Sequence, residues 1–150
     1  MEIINNLKWY FDDPKNAIFR PMGRKLTKKE LNTVLFDDSV NEPVKFCFPL
    51  NDDFRLTETR ELSRPITIEQ VLTLISDFYD ESLKTEHFEK AFEGNEEWRE
   101  EIIDRYDGDV SELKNFDVFE DTCAPDFCGI HRIQEPNENA GEYFINVGPE

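Results

Sequence analysis

Apolar residues recur with helical spacing most regularly behind Thr67, where Ile68, Val71, Leu72, Ile75, Phe78 and Tyr79 fall at i, i+3, i+4, i+7 positions of one face. Thr67-Ile68-Glu69-Gln70 has the form of a capping box. In that arrangement the threonine hydroxyl accepts from the N3 amide while the N3 side chain reaches back. Pro65 blocks extension upstream, so the pattern predicts a buried amphipathic helix over 68–80. A second box, Thr27-Lys28-Lys29-Glu30, opens a shorter helix whose apolar members are Leu31, Val34 and Leu35. Thr85 is expected to cap a segment with Phe88, Ala91 and Phe92, stopped at Gly94. Asn95 is expected to cap another with Trp98, Ile102 and Tyr106, stopped at Gly108. These last two read as a short-loop helical pair covered in glutamate.

Alternation of period two is less regular. Val44-Lys45-Phe46-Cys47-Phe48 reads as a strand, and Phe54 to Thr59 follows after the turn formers Asn51-Asp52-Asp53, which predicts a hairpin. Ile130 to Ile133 and Tyr143 to Val147 flank the turn-rich run 136–141 and predict a second. Phe116-Asp117-Val118-Phe119 adds a further candidate strand. Helical and strand patterns are segregated rather than alternating. The expected fold class is therefore α+β, one domain with about four short helices and two or more hairpins, and not a doubly wound sheet. No internal repeat and no low-complexity linker divides the 150 residues.

Composition sharpens this picture. Lys+Arg 17 against Asp+Glu 34 gives a net charge of -17, and 34% of residues are charged against a usual ~25%. Aromatic residues stand at 13%, which separates this acidic chain from disordered ones. A chain of this length buries enough surface to fold without disulfides or metal. The net charge opposes ordinary nucleic-acid binding and anionic membrane surfaces. No apolar run approaches the ~18–20 residues of a membrane span, and the opening residues do not form a basic stretch followed by an apolar one. Three cysteines and no Asn-x-Ser/Thr acceptor lead to the expectation of a reducing, intracellular setting such as the cytoplasm.

The charge is also divided unevenly. Residues 1–75 hold 11 basic and 12 acidic side chains, and residues 76–150 hold 6 and 22. Lys15, Arg20, Arg24, Lys25, Lys28 and Lys29 fall in one run without an acid, whereas 93–121 holds twelve acids against Arg99, Arg105 and Lys114. Glu96, Glu97, Glu100, Glu101 and Asp104 form a candidate face for a basic partner, either as a mimic of a phosphate backbone or as a dock for a basic tail. Arg20, Arg24, Lys25, Lys28 and Lys29 form a candidate basic contact surface. The competing readings are solvated faces that keep the protein soluble, or pairing of the two runs within one molecule or head to tail between copies.

Cys123, Cys128 and His131 are the compact set of soft ligands, able to wrap a zinc ion with Cys47 or His87 as the fourth. The C-x4-C-x2-H spacing departs from the usual pairs, and Cys47 between Phe46 and Phe48 equally reads as a small packed hydrophobe. Cys128 with His131 is a local thiol and base without a family signature. The run 104–112 looks like a calcium loop, but with Gly108 at position 6 the first position is Ile103 and the twelfth Lys114. It reads instead as a helix stop followed by a new N-cap. Carboxylates are too abundant for any pair to mark a glycosidase, and phosphate-loop, dinucleotide, nucleophile-elbow and zinc-protease motifs are absent from the sequence.

The stretch Pro65-Ile66-Thr67-Ile68-Glu69-Gln70-Val71-Leu72-Thr73-Leu74-Ile75-Ser76-Asp77-Phe78-Tyr79 resembles a pattern in short uncharacterised proteins of nucleocytoplasmic large DNA viruses. There a Pro-Leu/Ile-Thr-Ile start leads into a helix ending in Phe-Tyr. The resemblance implies a viral protein of the infected cell or the virion and carries no catalytic residue. The expectation that follows is a non-enzymatic interaction or structural module contacting another protein. The alternatives are a small zinc-stabilised module on Cys123, Cys128 and His131, or an enzyme with an unrecognised site.

Overall fold

The computed structural model describes residues 1–51, 56–119, 125–132 and 142–149. A 3-10 turn over Ile4–Asn6 leads into a small antiparallel sheet of β1 (Leu7–Lys8), β2 (Ile18–Phe19) and β3 (Arg24–Lys25). The predicted capping box then opens α1 (Lys28–Leu31). Glu30 N donates to Thr27 Oγ1 at 3.1 Å, and Thr27 N donates to Glu30 Oε1 at 2.9 Å. The helix lasts one turn. Val34 and Leu35, expected on it, lie instead in β4 (Val34–Phe36), because the chain there finds a strand partner and buries Phe36.

β5 (Val44–Pro49) and β6 (Thr57–Leu62) form the first predicted hairpin, in register from Val44↔Leu62 to Pro49↔Thr57. The second strand thus begins at Thr57, and the part of the expectation at 54–55 lies outside the described residues. β7 (Ile66–Thr67) supplies the partner of β4 and runs directly into α2 (Ile68–Asp80), whose bounds match the sequence pattern. Gln70 N donates to Thr67 Oγ1 at 3.2 Å and Thr67 N to Gln70 Oε1 at 2.8 Å, so both halves of this box close. All six apolar positions of the predicted stripe are buried. At the other end, Phe78 O accepts from Glu81 N at 3.2 Å and also from Nδ2 of the buried Asn115 at 2.8 Å.

α3 (Phe88–Ala91) and α4 (Glu96–Arg105) are the expected glutamate-covered pair, with two corrections. Thr85 begins a 3-10 turn rather than capping α3, and Asn95 occupies the N-cap of α4 without a side-chain hydrogen bond. α4 ends in a Schellman turn, in which Gly108 N donates to Ile103 O at 2.9 Å and Asp107 N to Asp104 O at 3.2 Å. Asp109 then accepts from Ser111 N at 3.1 Å and opens a 3-10 turn over Val110–Glu112. Residues Asn115–Val118 form another 3-10 turn, not the expected strand. Asp117 Oδ2 accepts from Lys114 N at 2.8 Å and closes that turn locally.

β8 (Pro125–Arg132) and β9 (Glu142–Pro149) pair antiparallel where the second hairpin is predicted, while Ile133 and the turn-rich run 136–141 lie outside the described residues. β9 also runs parallel to β5, through Phe46↔Tyr143 and Cys47↔Phe144, giving the order β6-β5-β9-β8. Phe46, Phe48, Phe127, Ile130, Ile145 and Val147 of this sheet join the buried face of α2 in one contiguous core. Phe48 stacks on Phe78 at 4.2 Å between centroids, and the buried Tyr79 hydroxyl donates to Pro49 O at 3.0 Å. The architecture is α+β, with four α-helices and these hairpins among the described residues.

Candidate functional site

The acidic face anticipated in the sequence is a real face of α4. Trp98 and Ile102 are buried on one side, and Trp98 Nε1 donates to Asp117 O at 3.0 Å. Glu96, Glu97, Glu100, Glu101 and Asp104 are exposed on the other. Anchoring by the two apolar side chains therefore commits the carboxylates to solvent. Glu101 is bridged by Arg105 at 3.2 Å, the surface pairing expected at i, i+4. Glu96 and Glu100 also line a cleft of about 370 Å3 with Glu89, Glu93, Phe92 and Arg99. Arg99 lies 5.1 Å over the Phe88 ring and donates to Glu89 at 2.8 Å.

The basic residues sit on a different element. Arg20 and Arg24 flank the exposed tip of the β2–β3 hairpin, and Lys25, Lys28 and Lys29 follow it, all exposed. Arg24 is bridged to Glu30 at 2.7 Å. That contact, with the Thr27 amide, holds the Glu30 carboxyl at about 2, far below the usual carboxylate range. Arg20 Nε donates to Leu7 O at 3.2 Å and Lys25 Nζ to Asn16 Oδ1 at 3.3 Å. These bonds are local to the N-terminal sheet and α1.

Of the zinc candidates, Cys123 lies outside the described residues. Cys128 and His131 are exposed on β8. The register Cys47↔Phe144↔His131 puts these three residues in one row across β5, β9 and β8, with Phe144 between the two proposed ligands. The His131 and Phe144 rings lie 5.5 Å apart. His87 stands instead 3.7 Å from Glu58, whose register partner Phe48 faces the core, so it belongs to the opposite side of the sheet. Among the described residues no group of three His, Cys, Asp or Glu side chains converges as a metal site. Burial, reinforced by Glu142, pushes the Cys47 thiol up, which disfavours the thiolate that a metal or a nucleophilic role requires.

Two clefts were not legible in the sequence. One, of about 400 Å3, gathers Asp12, Asp13, Asp77, Asp80 and Asp117 around Tyr10, with Lys114 bridged to Asp80 at 2.6 Å. Its aspartates come from three separate segments, so no local pattern could announce them. The other, of about 660 Å3, lies along the outer side of α2, between Leu74 and Leu62 of β6. Here a signal existed: Leu74 is an apolar residue off the buried stripe of its helix.

The end of β6 carries an ion network. Glu58 is bridged by Lys84 at 2.7 Å and by Arg60 at 3.1 Å, while Arg60 also reaches Glu81 at 2.9 Å and lies 5.0 Å over the Phe78 ring. Burial pushes the Glu58 carboxyl up, but the bonds and charges of Lys84 and Arg60 outweigh it and hold the group below its ordinary value. A depressed carboxyl contributes stability that is present above the unfolded value of ~4.3 and is lost as pH falls through the folded one. The expected outcome is that Glu58→Gln lowers the urea midpoint at pH ~6 and that the gap from wild type closes towards pH ~3. A gap that persists unchanged at the lower pH would show that the pairing contributes nothing.

No family model, curated protein or solved structure matches the chain. Among the described residues no helix is long and apolar enough to cross a membrane.

Proposed function

We propose that this chain is a non-enzymatic protein–protein interaction module that engages a basic segment of another protein through the exposed carboxylates of α4. The supporting observation is geometric: five acids stand on the solvent side of one helix whose other side is fixed in the core by Trp98 and Ile102. A rigid acidic surface of this kind steers a cationic partner and loses force as salt rises. On the resemblance of residues 65–79, we read its setting as the infected cell or the virion.

The test is a titration with a lysine- and arginine-rich peptide, with wild type and with Glu97, Glu100 and Glu101 all replaced by Gln. The triple variant is expected to bind about tenfold more weakly or worse, with a shallower dependence on salt between ~0.15 M and ~1 M. Equal affinity and equal salt dependence in the two proteins would remove this face from consideration.

A further inference from the structure

The groove along α2 has an apolar floor and an acidic rim. Leu62 and Leu74 are half-buried against the core and line it together with Pro65, and its charged lining residues are Glu69 and Asp77. At 660 Å3 it is within the size range of ligand sites, yet it is open to solvent, which suits a protruding protein segment rather than an enclosed small molecule. Its chemistry asks for one apolar side chain flanked by cations.

The same molecule displays such a segment. The tip Arg20-Pro21-Met22-Gly23-Arg24 joins β2 to β3, and Met22 is 61% exposed, the highest value among the large hydrophobic side chains described as exposed. The tip is held in shape: Met22 N donates to Phe19 O at 3.1 Å and Gly23 N to Phe19 O at 2.9 Å. Arg24 is held by Glu30 and Arg20 by Leu7 O, so docking would order few additional side chains.

We propose that the Met22 tip of one copy docks in the Leu62–Leu74 groove of a second, with Arg20 and Lys25 placed against Glu69 and Asp77. Tip and groove are different surfaces, so the contact is heterologous and each copy retains one free tip and one free groove for further copies. Net repulsion between two copies at -17 is screened beyond ~8 Å at ~0.15 M salt, whereas contact pairs form at shorter range. The inference concerns surfaces separate from the α4 face and does not depend on it.

Sedimentation velocity on the purified chain tests it. Wild type is expected to self-associate with rising concentration at ~0.15 M salt. Met22→Glu, at an exposed position, and Leu74→Glu, at a half-buried one that lines the groove, are each expected to weaken association about tenfold or more while leaving the circular dichroism spectrum unchanged. Mixing the two variants restores one intact tip–groove pair, so the mixture is expected to form dimers and nothing larger. Glu97, Glu100 and Glu101 replaced together by Gln should leave association intact. Asp77→Asn serves as a second groove variant if Leu74→Glu fails to fold. A wild type that stays monomeric, or a mixture that stays monomeric when both parents are folded, overturns the proposal.

Discussion

Replacing Phe78 by alanine is expected to destabilise the protein by about 3–5 kcal/mol, the range for removing a fully buried aromatic ring. The ring has no exposure, stacks on Phe48 at 4.2 Å with 17° between planes, and meets Tyr79 edge-on at 5.0 Å. It also carries the Arg60 guanidinium at 5.0 Å, so truncation removes the support of the ion network on β6 as well as core volume. Domains of this size are stable by only ~5–15 kcal/mol, so a large share of the total is at stake. Denaturant unfolding would measure the loss, with Phe78→Leu as a milder comparison that keeps most of the volume and gives up the stacking. A cost for alanine below ~1 kcal/mol would mean that the sheet and α2 are not joined through this pair.

Gly129→Ala is expected to cost about 2–4 kcal/mol, for two separable reasons. Gly129 has φ +95 at the bulge where the β8–β9 register shifts between Phe127 and Ile130, a conformation that a Cβ makes strained. An added Cβ would also stand 2.5 Å from Asn5 Oδ1 and 3.4 Å from Asn5 Cα. That Asn5 oxygen accepts from Ile130 N at 2.8 Å, so pushing it aside leaves an amide unpaired. In a double-mutant cycle, Asn5→Ala should cost about 1 kcal/mol alone, and the double variant less than the sum, because the collision is gone while the strain remains. Strict additivity would assign the whole effect to backbone conformation.

The parts of this fold that could be read from the sequence are those decided locally. Thr67 with Gln70 and Thr27 with Glu30 fixed two helix starts, since each box is closed within four residues. The stop at Gly108 and the cap at Asp109 were legible for the same reason. Misreadings came where a local pattern met a distant partner. Val34 continues the helical spacing of Leu31, yet its pairing with Thr67 draws it into a strand. Phe116 and Phe119 look strand-like, but Asp117 closes the segment on Lys114 N as a turn and the buried Asn115 ties it to α2. β1, β2 and β3 are two residues each, too short to show any period. Of the candidate surfaces, the α4 face was visible because its acids share one helix. The aspartate cleft and the α2 groove were not, because tertiary packing assembles them from several segments.

The position of β9 bears on how the chain acquires this structure during synthesis. It is a central strand, between β5 and β8, yet it is the last of the described strands to be made. Until it emerges from the ribosome, β5 has a partner on one side only. Contacts of such large sequence separation lower folding rates, and an unpaired strand edge invites association with other chains. The four-stranded sheet is therefore completed only once β9 has been made, and nascent chains halted before residue 142 leave that edge of β5 unpaired.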